Sequence, residues 1–220
     1  MSNTTIVSIL ARCNTLFVDT SKTRWPYEEL LTWFNDAVLE IVNLRPDSKM
    51  KNAPYTLTAN SSIQTLPSEG LRWHDVVFDI LTGEPIFLTD KKILDNQIPA
   101  WHRKTGTRPT CFVFDERDPK TMYIYPQVTT PRDVQVMYSI APVAVIITDF
   151  DTDTTVLPID DIYVNAIMNF ILHLGYSKDV DYAQSNDLSQ RYHQMFLASL
   201  NAKNQVDGSF SPKSTGKPNA

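Results

Sequence analysis

The sequence predicts an α+β fold, in which a helical bundle of two N-terminal and two C-terminal helices carries an inserted β-rich module. Three observations predict it. Apolar residues recur at helical spacing from residue 4 to about residue 45. From about Ala53 to Ala144 the pattern changes to short β-rich runs between Pro, Gly and Asp turns. Helical spacing then returns over Leu157–Ala202. The expected divisions are 1–52 for the N-terminal helices, 53–156 for the β-rich insertion, 157–202 for a C-terminal helical hairpin and 203–220 for a flexible arm.

The first helix rests on Ile6, Ile9, Leu10, Cys13, Leu16 and Phe17, which share one face. Residues 19–25 break that pattern. Pro26 opens a second helix, because its missing N–H costs nothing in a first turn, and Glu28 and Glu29 complement the positive end of the helix dipole. Its face of Leu30, Leu31, Phe34, Ala37, Val38, Ile41 and Leu44 ends before Pro46. In the middle, strands are expected at 55–58, 62–66, 76–81, 85–88, 111–114, 122–125 and 134–140, with a short surface helix over 90–98.

The hairpin over 157–202 is the expected anchor of the fold. Pro158, Asp160 and Asp161 suit a helix start, and from Ile162 to Leu174 the chain is apolar nearly all round, so this helix must be buried on several sides. Phe170 and Ile171 are expected in the core. Gly175 is expected to stop the helix, and Ser177 or Asp179 to cap the next. That next helix places Leu188, Tyr192, Met195 or Phe196, and Ser199 on one face. Asp161, Asn165, Asn169 and His173 recur every four residues along the first, as a water-facing seam, an internal hydrogen-bonding line, or a contact stripe between identical subunits.

Composition narrows the function. A 220-residue chain with 42% hydrophobic residues supports a real core. Fourteen prolines against six glycines disfavour Gly-rich phosphate cradles, and a net charge of −5 gives no grip on nucleic acid. Cys13 and Cys111 fit no metal or redox spacing and read as buried free thiols. No apolar run is long enough for a membrane span and no signal-peptide layout is present, so the expectation is a soluble protein made in a reducing compartment.

No nucleophile elbow, P-loop, dinucleotide fingerprint or zinc-protease motif occurs, and neither a catalytic set nor a cofactor is expected. His173 and His193 could meet across the hairpin and hold a metal, although ordinary packing explains them better. Asp149, Asp151, Asp153 and Asp160 fall at positions 1, 3, 5 and 12 of a calcium loop. Thr154 stands where that loop needs glycine, and Asp160 is shorter than the usual Glu, so a solvated acidic loop is the expected reading. Trp25 and Trp101 lie near basic residues, as base-stacking platforms do, but fit a helix-entry staple and a loop filler better.

Several segments, in order, carry a family likeness. They are Trp25, Leu31, Trp33, Asn35-Asp36-Ala37, Ile41 and Leu44-Arg45-Pro46-Asp47; then Trp101, Tyr123 to Pro126, Val136, Tyr138 and Ala141-Pro142; then Leu157-Pro158, Asp160, Tyr163, Ala166, Tyr176, Lys178-Asp179, Asp181, Tyr192 and Phe196. Over roughly residues 5–200 the chain resembles the head-to-tail adaptor (connector) proteins of tailed bacteriophages, including the tubular tail protein group of short-tailed phages.

The resemblance implies a virion structural protein made in the bacterial host cytoplasm. It implies a homo-oligomeric ring, commonly of about twelve copies as closed cyclic assemblies allow, between the portal protein and a downstream tail or nozzle protein. Double-stranded DNA would pass without specific binding, and no membrane is involved. It carries over no catalytic residues. A stopper, a tail terminator or a metal-dependent phage hydrolase using the acidic run are the alternatives. The arm over 203–220 holds Lys203, Lys213 and Lys217 against Asp207, a side-chain sum of +2, with Phe210 as a possible anchor. It is the candidate portal contact, ordering on docking, or else a disordered tail without a partner.

Overall fold

The computed structural model describes residues 4–179 and 183–210, with side chains over 185–201 of the last helix. In chain order come α1 (Ile6–Leu16), α2 (Tyr27–Leu44), β1 (Met50–Leu57), β2 (Ile63–Thr65), β3 (Gly70–Asp79), β4 (Phe87–Leu88) and α3 (Lys91–Gln97). There follow β5 (Thr105–Gly106), β6 (Cys111–Phe114), β7 (Thr121–Tyr125), β8 (Gln127–Val128), β9 (Arg132–Ile140), α4 (Val164–Lys178) and α5 (Ala183–Phe210). The class is α+β. The chain divides into a helical unit, Met1–Ile41 with Val143–Ala220, and a β unit, Val42–Pro142.

The inserted unit therefore ends at 142, whereas the sequence pattern extends the insertion to 156. Residues 143–147 are apolar and belong to no strand, residues 149–153 form an acidic turn, and both lie within the helical unit. The Asn35 amide clamps Val145, donating to its carbonyl at 3.0 Å and accepting from its N–H at 2.8 Å. Phe150 packs on Tyr27, with ring centroids 5.3 Å apart. Ile6 N–H donates to Thr155 O and Leu157 N–H to Thr4 O, closing a bridge at the entry of α1.

In α1 the buried face is Ile6, Ile9, Leu10 and Cys13, and Thr5 caps the helix. The joint to α2 is organised by Asp19, whose carboxylate accepts from the N–H groups of Thr23, Arg24 and Trp25 at 3.2, 2.9 and 2.7 Å. Before it, Val18 is held at φ 58° with its side chain in solvent. A β-branched residue is poorly suited to that left-handed backbone.

The third and fourth helices of the bundle differ from expectation in three ways. A single 3-10 turn at Asp161–Tyr163, capped by Asp160, precedes α4, and α4 passes through Gly175 to Lys178. Gly175 is buried, and a β-carbon there would lie 2.2 Å from the Phe17 ring. Its role is close approach, not termination, and Ser177 lies inside α4 rather than capping α5. Ile171 is fully buried, but Phe170 is half-buried at the edge of the hairpin, where it meets Phe196 at 5.1 Å. On α5 the inward line is Ser185, Ser189, Phe196 and Leu200, while Met195 faces out.

The β unit holds an antiparallel sheet in the order β1-β9-β3 and a second sheet in the order β2-β7-β6-β4, in which β4 runs parallel to β6. The expected alternation in β9 is present: Val134, Val136 and Tyr138 are buried. They share a core with Leu57, Trp73, Phe112, Met122 and Ile124. Pro54 is tolerated because β1 is an edge strand. The end of β3 is fixed by Asp79, whose fully buried carboxylate pairs with Arg132 of β9, with Arg132 Nη2 donating at 2.8 Å. It also accepts from the N–H groups of Leu81 and Thr82, each at 3.0 Å. The hydrogen bond from Arg132 is the main cause that holds the Asp79 carboxyl below its ordinary pKa.

Three stability predictions follow from these contacts. Val18→Asn should raise stability by about 1 kcal/mol by relieving the left-handed backbone, measured by denaturant unfolding. Ile171→Ala should cost about 2–5 kcal/mol, and Phe170→Ala less, because part of its ring already meets water; equal losses would contradict this packing. Since Asp79 is lowered in the folded state, its contribution is complete above the unfolded value of about 3.9 and is lost as the pH falls through the folded value. Asp79→Asn should therefore destabilise the β unit at neutral pH by about 3–5 kcal/mol and flatten the acid limb of a stability–pH curve.

Candidate functional site

Several of the side chains that might do chemistry are engaged within the chain. On the polar line of α4, Asp161 accepts from Thr4 N–H at 3.4 Å, Asn165 is exposed, and Asn169 is half-buried. His173 is held by α5: its Nδ1 lies 3.0 Å from Ser189 O, and Ser189 Oγ donates to His173 O at 3.1 Å. Both ends of the line are thus used inside one chain, and Asn165 is its exposed member. His173 and His193 do meet, in a near-parallel stack with centroids 4.7 Å apart. Burial lowers the pKa of His173, which favours the neutral ring. Among the described residues no group of three His, Cys, Asp or Glu side chains is placed to hold a metal.

The acidic run turns on itself. Asp149 accepts from Asp151 N–H at 3.0 Å and Thr152 Oγ at 2.6 Å, and the Thr152 bond is the main cause that lowers its pKa. Asp153 accepts from Thr155 N–H at 2.7 Å, and Asp160 caps the turn into α4. Asp149, Asp153 and Asp160 thus act as local turn caps. Trp25 is buried between Phe17 and Trp33, at 5.6 and 5.3 Å. Trp101 is buried and donates from its indole N–H to Asp95 at 2.8 Å. Neither indole face is open for a base. Cys13 is a buried thiol, its pKa pushed up to about 12 by desolvation, and Cys111 is buried too.

What the surface offers instead is exposed apolar groups. On the β unit these include Leu81, Phe87 and Leu88; on the helical unit they include Val18, Val143 and Ile146. A groove of about 740 Å³ beside β4 is lined by Leu88, Lys91, Lys92, Phe114 and Arg117 among others. In the sequence Leu81, Phe87 and Leu88 fall in expected strands with no face assigned to them, and Val143 and Ile146 fall in no expected element. The available signal was the brevity of β4, a two-residue strand carrying adjacent apolar residues where one buried face would require alternation.

The expected arm is placed in part. The backbone of α5 runs on through Lys203 to Phe210, eight residues into the segment read as a tail, since no proline interrupts it and propagation is cheap once a helix is formed. Lys213 and Lys217 lie outside the described residues. No helix among the described residues is long and apolar enough to cross a membrane.

Among curated proteins none matches the chain significantly. The sequence model of the SU10 adaptor protein matches residues 4–216, covering both units and the connections between them. The chain belongs to the SU10 adaptor protein family, a family of bacteriophage structural adaptors.

Proposed function

We propose that this chain is a head-to-tail adaptor whose copies form a closed ring beneath the portal, join the DNA-filled head to the tail and line part of the DNA conduit. The observation that carries the reading is the family match over residues 4–216, which spans helical and β units alike. Three features support it. His173 and the carboxylates of Asp149, Asp153 and Asp160 are engaged in caps and packing, as suits a chain that acts by binding. Apolar side chains stand in solvent on both units, as expected of a subunit that finishes its burial in an assembly. A net charge of −5 suits a passage for DNA, because a basic lumen would hold phosphates and slow transit.

In this reading the portal is engaged by the end of α5 and the residues after it, with Lys203, Phe210, Lys213 and Lys217 as contacts. The 28 residues of α5 span about 42 Å at the ordinary helical rise, enough to carry that end well beyond the hairpin. The stripe Asp161, Asn165, Asn169 and His173 contributes to subunit contact through Asn165 alone, since its ends are spent within the chain. The downstream face meets a tail or nozzle protein.

Removing residues 203–220 tests the portal contact. The truncated protein should keep its helical circular dichroism while its binding to purified portal-bearing heads falls about tenfold or more, a loss of at least ~1.4 kcal/mol. Undiminished binding, with infectious particles still formed, would show the arm to be dispensable. The ring itself is tested by a cryo-EM map of the particle: a single copy at the neck would overturn it.

A further inference from the structure

The turn joining β3 to β4 is held more firmly than a surface turn requires. Its main-chain donors from residue 80 to 83 are all used: Ile80 N–H donates to Asp133 O at 3.1 Å, and Gly83 N–H to Asp79 O at 2.8 Å. Between them, the N–H groups of Leu81 and Thr82 donate to the Asp79 carboxylate, which also accepts from Thr82 Oγ at 3.2 Å. That carboxylate is fully buried against Arg132, a pairing that costs desolvation and fixes geometry. The tip it fixes is apolar. Leu81 is 79% exposed and Ile80 41% exposed, where turns ordinarily carry polar residues. The turn is therefore a preorganised apolar knob, with little main-chain freedom left to lose on docking.

The helical unit carries a hole of fitting size. A groove of about 300 Å³ is lined by Arg12, Thr15 and Leu16 of α1 and Met168 of α4. Leu16 is 47% exposed in it. Two residues on, Val18 keeps its side chain in water on a left-handed backbone, a strain that persists at functional surfaces. An apolar cavity of about 150 Å³ takes a benzene-sized group, so the groove has room for both branched side chains of the knob.

Charge selects which surfaces of two copies can meet. The helical unit holds eight Lys and Arg against fourteen Asp and Glu, and the β unit twelve against eleven. Two helical units therefore repel, whereas a β unit meets a helical unit without opposition of like charge. Knob and groove lie on the two members of that favourable pairing.

We infer that the β3–β4 turn of one subunit inserts Ile80 and Leu81 into the groove beside α1 and α4 on the next copy. The inference rests on the ring proposed above and names its contact. Knob and hole are different surfaces, so the contact is head-to-tail, and repetition by rotation closes a ring. Asp79 and Arg132 are positioning residues, which hold the main chain that carries the knob.

Variants of the full-length protein test it. Leu81→Ser removes the knob and leaves the bonded main chain in place. The denaturant midpoint of the free protein should be unchanged, as at other exposed positions, while assembly weakens about tenfold. Thr15→Trp, at an exposed position, should cover the groove and weaken assembly by a similar factor. Assembly is read by native mass spectrometry, alone and on portal-bearing heads lacking this protein. Ile80→Cys and Thr15→Cys together should give, on mild oxidation of assembled protein, a ladder of disulfide-linked multimers absent from either single variant. The native Cys13 and Cys111 are buried and stay silent. Rings that form at wild-type strength in Leu81→Ser, with no ladder from the cysteine pair, would overturn this contact and leave the ring standing. Leu81→Ser rings that assemble normally but no longer bind heads would overturn it in favour of a knob aimed at the portal. A wild-type protein that never multimerises, alone or on heads, would overturn the ring and this contact together.

Discussion

The helical unit depends on one close approach, Phe17 against Gly175. The Phe17 ring lies where any β-carbon on residue 175 would stand, so the end of α1 and the last turn of α4 meet with nothing between them. From that point an aromatic cluster spreads: Phe17 packs on Trp25 at 5.6 Å and Tyr176 at 5.4 Å, Trp25 on Trp33, and Tyr176 on Tyr192 of α5. Ion pairs of Arg24 with Asp179 and of Lys178 with Glu29 lie at the rim of the same cluster. These exposed pairs add little by themselves. The aromatic contacts bury large apolar area, and they tie the joint after α1 to both helices of the C-terminal hairpin.

That contact also shows where sequence pattern loses its power. Glycine ends helices because it takes left-handed backbone cheaply, and it lets elements touch because it has no side chain; the letter alone does not say which property is used. At Gly175 the second use won. The larger elements were legible, from the amphipathic face of α2 to the alternation in β9, whereas β1 and β3 begin well before their expected starts at 55 and 76 and the short β5 and β8 were not expected. The nearly all-apolar α4 was legible as buried, yet a helix with no polar face does not declare which residues lie at its edge, and Phe170 was misplaced for that reason. The return segment 143–156 was read with the β module because helical spacing resumes only at Leu157. Its partners are an asparagine side chain and the start of α1, and no local pattern announces them.

Function was legible in a different way. Absence of a catalytic motif directed attention to assembly, and the order of weak segments pointed to the adaptor family that the match over residues 4–216 shows. The individual surface was not legible. His173 and Asp161 carry the periodicity of an exposed stripe but are drawn inward by Ser189 and Thr4, partners far away in sequence. The buried serines Ser185 and Ser189 pass for surface residues in any hydropathy reading; at Ser189 the small side chain sits against α4 while its hydroxyl donates to the His173 carbonyl.

In the proposed ring, a subunit needs two unlike surfaces that are attractive to each other and harmless while alone. Large continuous apolar patches would fail the second condition by driving aggregation. Here the exposed apolar residues include the short pairs Phe87 with Leu88 and Val143 with Ile146. Short apolar pairs give little affinity between free subunits, and the net charge of −5 sets a weak mutual repulsion against random encounter. Seating copies side by side on a symmetric template raises their effective concentration to about the millimolar range, where the same small contacts suffice. In this reading assembly is deferred until the template is present by the modest size of the contact itself, without a separate switch.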